Sequence, residues 1–478
     1  MTTITPRRRT RLVATIGPAS SDPAVIRRLI EAGLDVARFN FSHGRPEDHR
    51  RIIRLVREKA AAAGREVAVL QDLCGPKIRL GTLPESGVML QTGGEVALVV
   101  GTSSTGDVLP VDYPYLDEDV KAGDRILLAD GMIELQVTKI EKKRVVCHIV
   151  VGGEVQSRKG VNLPTSSLRI PAFTDKDRAD LVVGLEEGVD MVALSFVRRA
   201  DDLAPLIAIL EERGGLPQRP LLVAKIEKAE AARDLDEILG RVDAVMVARG
   251  DLGVETALEE VPLIQQRIVA AARREAKPVI VATQMLRSMV DSPRPTRAEA
   301  ADAAGAVFQG ADALMLSEET AVGHYPVEAV AMLDRIARAN EPSLDPAALL
   351  QEDPGRILPL TEGAISRAAC ALAGEVGAAA IVAPTTSGRS ARLVARFRPR
   401  VPVIALTPEP ATARQLKLSY GVIPALVERF EDTDAMFAAA REWTLSQGLV
   451  VSGDRLVITG GVPVNTPGTT NLVKVIEV

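Results

Sequence analysis

Short, continuous apolar runs recur along the first two thirds of the chain, each ending in polar residues and giving way to a helical pattern. They fall at residues 12–16, 35–39, 67–70, 189–194, 221–224, 243–247, 278–282 and 312–316. Apolar runs without alternation are what strands buried on both faces look like. Helical periodicity fills the gaps between them, as at 23–32 and 259–275. Strand alternating with helix predicts a parallel sheet, and eight such units match a closed (β/α)8 TIM barrel, for which about 250 residues is typical.

The rhythm breaks between Arg79 and about Arg169. No long amphipathic helix is legible there; short strand patterns are punctuated by turn signals at Gly93-Gly94, Gly101, Ser103-Ser104, Gly123-Asp124, Asp130-Gly131 and Gly152-Gly153. This interval reads as an all-β domain inserted after the third barrel strand. Thr174 and Asp177, at N-cap and N3 spacing, mark the return to helix as a weaker capping box with Asp in place of Glu. Residues 340–346 punctuate the chain again. Beyond them a helix over 362–376 and apolar runs at 379–383, 402–406, 421–425, 455–459 and 472–477 predict an open-sheet α/β domain. The expected organisation is a barrel over 1–79 and 169–343, an inserted β-barrel lid over 80–168 and a C-terminal α/β domain over 344–478, and the length of 478 residues suits three domains.

Composition narrows the function. With 46% hydrophobic and 25% charged residues, a large core can form and global disorder is excluded. Aromatic residues make up only 3%, which argues against a protein built on stacking of bases or sugars. A formal charge of −5 provides no basic field for nucleic acid or anionic lipid, and no run approaches the ~18 apolar residues of a membrane span. An anionic substrate must therefore be held by local geometry. Cys74, Cys147 and Cys370 fit neither a disulfide framework nor a CxxC zinc site, and point to a reducing cytoplasm. Arg7 to Arg9 precede an apolar stretch that stops at Gly17-Pro18, short of the about 7–15 residues of a secretory core. Phosphate-loop, dinucleotide, zinc-protease and serine-hydrolase motifs are absent, and His43, His49, His148 and His324 are too dispersed for a metal cluster.

In barrels of this kind the active site lies at the C-terminal ends of the strands. Those ends carry Arg38, Asn40, Ser42 and His43; Asp72, Lys77 and Arg79; Lys225 and Glu227; Gly250 and Asp251; Thr283; and Ser317 with Glu319. Lys225 and Glu227 are two apart on a strand, so both face the barrel mouth. Together they can hold a phosphoryl group and a cation, or form an ion pair that closes the barrel layer; spacing leaves both open. Glu227 and Asp251, on neighbouring strand ends, are a candidate ligand pair for Mg2+, which takes one or two carboxylates plus substrate oxygens and water. Gly250, before a short helix, lets backbone N–H groups approach an anion. Arg38 offers a fork for phosphate, while Asn40 and Ser42 offer neutral oxygens.

The stretches 38–44, 72–79, Lys225-Ile226-Glu227, 247–255 and 282–286 resemble pyruvate kinase, as do Asp130-Gly131 and 159–164 in the insert and 385–390 in the last domain. The resemblance implies transfer of a phosphoryl group from phosphoenolpyruvate to ADP, giving pyruvate and ATP in glycolysis, with Mg2+ or, in its place, Mn2+. It implies Lys225, Arg38, Thr283 and Arg79 as catalytic residues. Arg38, Lys225, Gly250, Asp251, Thr283 and Ser317 would meet the substrate, and Pro18, Asn40, His43, Arg79, Asp130 and Lys159 the nucleotide. Glu227 and Asp251 would hold the metal, and Asn40, Ser42, Asp72 and Leu73 would surround the place of a monovalent cation.

Family members that need K+ carry Thr-Lys-Gly-Pro-Glu after the residue matching Asp72; here the stretch is Leu73-Cys74-Gly75-Pro76-Lys77. Lys77 resembles the bacterial K+-independent branch, with its ammonium replacing the ion beside Asp72. A solvent-facing lysine beside an ordinary K+ site is the alternative. Cys74 reads as a small buried apolar residue, and Glu318 stands where a small residue is commoner. The resemblance further implies a phosphate-holding loop, Thr385, Thr386, Ser387, Gly388, Arg389 and Ser390, covered by 460–470, for a sugar phosphate or AMP. An ordinary capped turn is the alternative there. A cytoplasmic homotetramer is also implied. A Mg2+-dependent aldolase or lyase has no use for Asp130, Lys159 and Arg79, and a sugar-phosphate-binding regulator has no use for the catalytic set.

Overall fold

Eight parallel strands, Arg11–Thr15, Val36–Asn40, Ala68–Asp72, Met191–Val197, Leu221–Ile226, Ala244–Ala248, Val279–Ala282 and Ala313–Leu316, each pair with their sequence neighbours, and the first pairs with the eighth to close a barrel. The computed structural model describes residues 8–103, 108–166, 168–352, 360–464 and 469–478. Val13, Val36, Leu70, Met191, Val223, Met246 and Ile280 point inward and are fully buried, so the barrel is a packed core and not a pore. The alternate residues, among them Leu12, Phe39, Val69, Val192, Leu222 and Val245, pack outward on the helices. Burial on both faces is the reason the strands read as unbroken apolar runs.

The fourth strand runs on to Val197, beyond the end expected at 194, and a register shift between Leu194 and Val197 marks a bulge. Phe196 there has φ +59°. The helix Asp175–Glu186 begins with a complete capping box: Thr174 Oγ1 accepts from the Asp177 N–H at 3.1 Å, and Asp177 Oδ2 accepts from the Thr174 N–H at 2.9 Å. Aspartate therefore closes the box that its shorter reach suggested would be weak.

The third strand pairs directly with the fourth, as in Leu70 with Met191, although the inserted domain lies between them in sequence. The insert forms a six-stranded sheet and a separate two-stranded pair. The connecting segment reaches the sheet's edges through isolated bridges only, Arg79 with Gly160, Leu80 with Val111 and Thr82 with Ser103, because its outermost strand Val161–Asn162 is two residues long. The last domain is a five-stranded sheet ordered Val422–Leu426, Val403–Thr407, Ala380–Val382, Arg455–Gly461 and Thr470–Glu477, with the final strand antiparallel.

That domain docks on the barrel floor. Leu418 joins the apolar cluster inside the barrel. Arg398, 2% exposed, places Nη2 2.7 Å from Asp312 Oδ2 and 2.6 Å from the Gly310 carbonyl, with its guanidinium 4.6 Å from the Tyr420 ring centroid. Among the described residues no helix is long and apolar enough to cross a membrane.

Helix-to-strand contact under the active-site rim depends on a missing side chain. A Cβ on Gly184 would stand 2.0 Å from Gln71 Oε1, and Gln71 is itself fixed by a 2.7 Å hydrogen bond from Nε2 to the Asp180 carbonyl. Gly184→Ala is expected to lower unfolding stability by about 1–3 kcal/mol through overpacking, measured by urea denaturation. Unchanged stability would contradict this contact.

Candidate active site

Strand register brings the functional residues to one rim: Asn40 lies opposite Asp72, Lys225 opposite Met246, and Ala248, just before Arg249, opposite Ala282, just before Thr283. Lys225 Nζ sits at the centre, 2.7 Å from Glu227 Oε1, 3.4 Å from Asp72 Oδ1 and 2.6 Å from Ser195 Oγ. Ser195 Oγ in turn donates a hydrogen bond to the Leu73 carbonyl at 2.7 Å. Arg38 places Nε and Nη2 each 2.7 Å from Asp72 Oδ2, and Nη1 donates to Thr15 Oγ1 at 2.8 Å. Two cations and two carboxylates thus form one buried, mutually compensated group.

The protonation states follow. Burial alone disfavours the Lys225 ammonium, but the charges of Asp72 and Glu227 outweigh it and hold its pKa above the ordinary value. Burial likewise opposes the Asp72 carboxylate, and Lys225 and Arg38 overcome it, so Asp72 ionises more readily than usual. Glu227 goes the other way: burial pushes its pKa up, Lys225 pulls it down, and the neighbouring charge of Asp251 adds to the rise. A carboxylate destabilised by burial and by a second carboxylate is a place where a cation is welcome. Glu227 Oε2 also accepts the Phe196 N–H at 2.8 Å, which the bulge aims at it.

Glu227, with the charge of Asp251 beside it, is the candidate carboxylate pair for a metal at this rim. Among the described residues no three His, Cys, Asp or Glu side chains gather as a metal-binding group. This donor set fits a hard divalent ion that completes its shell with substrate oxygens and water, and does not fit zinc.

Asp251 and Gly250 lie in the first turn of the helix Arg249–Glu255. A Cβ on Gly250 would stand 2.8 Å from Thr283 Cγ2, so the glycine is required for Thr283 to approach. Thr283 and Gln284 have φ of +75° and +57°, a costly left-handed backbone. Arg249 holds it in place, with Nη2 2.7 Å from the Thr283 carbonyl and Nη1 2.7 Å from Asp302. Ser317 donates its N–H to Glu319 Oε2 at 2.7 Å, and Glu319 Oε1 accepts the Leu286 N–H at 3.0 Å, tying the seventh and eighth loops together. Glu318 is paired outward with Arg287 at 2.7 Å.

The remaining candidates are more scattered. Asn40 Oδ1 accepts the Ser42 N–H at 3.1 Å, and both residues are half-buried. Pro18, His43, Lys159 and Asp130 are exposed. Asp130 lies by Gly160, next to Lys159, and Arg79 Nη1 donates to the Arg158 carbonyl at 3.0 Å, so Arg79, Asp130 and Lys159 meet where the insert joins the barrel. Partial desolvation at the rim lowers the pKa of His43, and the charges of Lys77, Arg79 and Arg38 lower it further. Lys77 is exposed, and the groups that neutralise Asp72 are Lys225 and Arg38. Leu73 is fully buried, while Cys74 is half-buried, contrary to the buried reading.

Sequence reasoning missed Ser195, Phe196, Thr15 and Arg249. The first two lie at the end of the fourth strand, from which no candidate was drawn, and the last two act by holding others. It also missed Glu255, which accepts from Lys228 Nζ at 2.6 Å and from Asn162 Nδ2 of the insert at 3.0 Å, linking lid to barrel.

In the last domain Thr385, Thr386, Ser387, Arg389 and Ser390 line one pocket. Thr385 Oγ1 accepts the Gly388 N–H at 2.9 Å, Arg389 is paired with buried Glu362 at 2.8 Å, and Ser390 Oγ is 2.8 Å from Thr470 Oγ1. Of the expected covering segment 460–470, residues 465–468 lie outside the described residues, as does Arg7 of the basic start.

The family model for the pyruvate kinase barrel domain matches residues 7–330, and that for the pyruvate kinase alpha/beta domain matches 363–476. The chain is 43% identical to the pyruvate kinase of Geobacillus stearothermophilus over 472 residues, which covers 98% of this chain and 80% of that one. It is 41% identical to the Clostridium acetobutylicum pyruvate kinase over 469 residues (98% and 99% covered) and 44% identical to the Mycobacterium tuberculosis pyruvate kinase over 470 (98% of each). The crystal structure of a pyruvate kinase from Cryptosporidium parvum superposes with a TM-score of 0.92 at 34% identity, covering 98% of this chain and 96% of that one. Matched almost end to end by these relatives and over both parts by the family models, the chain belongs to the pyruvate kinase family of phosphotransferases.

Proposed function

We propose that this phosphotransferase moves the phosphoryl group of phosphoenolpyruvate to ADP with Mg2+, forming pyruvate and ATP as a step of glycolysis in the cytoplasm. The observation that carries the reading is Lys225, a nearly buried ammonium locked between Asp72, Glu227 and Ser195 at the barrel mouth. The family requires a divalent metal, and Glu227 with Asp251 would hold it, Mn2+ substituting for Mg2+. When bound, that ion supplies positive charge shared between substrate and phosphate oxygens.

The chain's own residues do the rest by positioning and charge. Lys225 neutralises the phosphoryl group as it moves, and it is held protonated for that task. Arg38, braced on Asp72 and Thr15, meets the phosphate. The N–H groups of Gly250 and Asp251, in a first helical turn and so without intrahelical partners, receive the substrate carboxylate, with Ser317 at the far side. Thr283 stands against Gly250, where a proton reaches the enolate carbon. Arg79, Asp130 and Lys159 close on the nucleotide phosphates from the lid junction, with Pro18, Asn40 and His43 on the rim.

The reading extends to cation use and regulation. Lys77 stands where K+-requiring members carry Glu and its ammonium takes the place of the ion, and Leu73 offers no side-chain oxygen to a monovalent cation, which supports K+ independence. The pocket around Thr385 to Ser390 suits the phosphate of a sugar-phosphate or AMP activator, and the assembly is taken to be a homotetramer.

Lys225→Met is expected to lower turnover by at least about 10²–10³, the scale for losing one preorganised stabilising group; near-normal initial rates with phosphoenolpyruvate and ADP in the folded variant would overturn the assignment. Replacing K+ with a bulky organic cation is expected to leave the initial rate unchanged, and an absolute K+ requirement would refute that part. Calorimetric titration with sugar phosphates and AMP is expected to give saturable binding for at least one, accompanied by a lower half-saturation for phosphoenolpyruvate. Binding of none would return the 385–390 loop to an ordinary turn.

A further inference from the structure

Glu255 ends the helix Arg249–Glu255, whose first turn holds Gly250 and Asp251. Asp251 and Glu255 are four residues apart and so share one face of that helix, a single turn from each other. Glu255 is a buried carboxylate with no place in the reaction outlined above, and one of its oxygens has two partners from different parts of the molecule. Oε1 accepts from Lys228 Nζ at 2.6 Å and from Asn162 Nδ2 at 3.0 Å. The first contact is an ion pair whose side chains are 9% and 2% exposed. The second crosses from the barrel to the insert.

Both partners are placed next to residues of the site. Lys228 directly follows Glu227, so its pair with Glu255 staples together the two segments that carry Glu227 and Asp251. Its ammonium also lies 5.7 Å from the ring centroid of Phe196, the residue whose N–H supports Glu227. Asn162 stands in the strand Val161–Asn162, three positions after Lys159. That strand pairs with Arg125–Leu128, and the Ala129 N–H goes on to the Gly160 carbonyl at 3.0 Å. Lys159 and Asp130 are therefore carried by one paired edge of the lid, and Asn162 is a side chain by which that edge grips the barrel. The Asp130-Gly131 turn rests on the same helix, since a Cβ on Gly131 would stand 3.7 Å from Val254 Cγ1.

We propose that Glu255 is a positioning residue that sets the lid edge carrying Lys159 and Asp130 in register with the helix carrying Gly250 and Asp251. It thereby fixes where the nucleotide phosphates meet the phosphoryl donor, and in this it rests on the reaction proposed above. Lys228 holds the Glu255 oxygen in place, so the lid docks on an acceptor that is already ordered and charged. Only the docked lid presents Lys159 and Asp130 to ADP together with the rim residues. The apparent affinity for ADP therefore scales with the docked fraction, whereas a saturating nucleotide restores docking and with it the turnover. Removing the Asn162 amide breaks the grip and leaves the ion pair and its helix whole, which separates the lid's contribution from the barrel's.

Asn162→Ala in the full chain tests this by steady-state kinetics with each substrate varied in turn. The Michaelis constant for ADP is expected to rise by about tenfold, the scale for losing a hydrogen bond to a charged group. The constant for phosphoenolpyruvate and the turnover at saturating ADP are expected to stay near those of the wild type. Asn162→Asp, of the same shape but with a carboxylate set against Glu255, is expected to raise the ADP constant further. A second readout needs no turnover: the backbone amides of 159–164 are expected to exchange hydrogen faster in both variants, and those of 249–255 as in the wild type. An ADP constant that does not move, or a fall in turnover and unfolding temperature with both Michaelis constants unchanged, overturns the proposal. A wild-type protein that does not convert phosphoenolpyruvate and ADP refutes the reaction, and the exchange of 159–164 then decides the lid contact alone: faster exchange in the variants supports it, and equal exchange overturns it.

Discussion

A lysine ammonium cannot be buried at the mouth of a barrel unless carboxylates come with it, and much of this active site is the consequence of meeting that demand. Lys225 requires Asp72 and Glu227; Asp72, once buried, takes Arg38 as well; and Arg38 needs Thr15 for its remaining donor. Asp72, Arg38 and Thr15 come from three strands other than the one that carries Lys225 and Glu227, so closing the barrel in register and balancing the charges are the same event. What the quartet leaves over is the negative charge of Asp251 beside Glu227, and that surplus is what an incoming cation answers.

Around this balanced centre the backbone is held in conformations it would not choose alone. Phe196, Thr283 and Gln284 all have positive φ. The first delivers an N–H to Glu227, and the second is clamped by Arg249 against Gly250. Strain of this kind persists only where neighbours over-determine it. Here the restraining groups are Asp302 behind Arg249, and the fourth-strand bulge behind Phe196.

The barrel was legible because its strands are buried twice over, which writes them as unbroken apolar runs, and because strand ends rich in Arg, Asp, Lys and Glu stand out against such runs. Ser195 and Phe196 did not stand out: a hydroxyl and an aromatic ring after an apolar run look like more of the same strand, and a bulge has no signature in composition. Arg249 and Glu255 were visible as residues but not as roles, since what they touch is distant in sequence. The ions paired with Asp72 come from strands two and five, a meeting that only the closed barrel shows. The insert's strands were readable from turn signals, whereas the manner in which its edges close was not, because isolated bridges leave no periodic pattern.

The direct pairing of the third and fourth barrel strands across an entire inserted domain has a bearing on how the chain is born. During synthesis the first three strands emerge with the third paired on one side only, by the second, since its other neighbour follows only after the insert; at about 5–20 residues per second that wait is on the order of ten seconds. The first strand waits longer still, for the eighth. Three apolar strands, each meant to be buried on both faces, therefore stand open in the nascent state while the insert has time to fold by itself. Folding of the insert draws its two ends together through the contact of the Leu80 N–H with the Lys159 carbonyl at 2.9 Å, so that the loop closing the third strand onto the fourth is short in space although long in sequence.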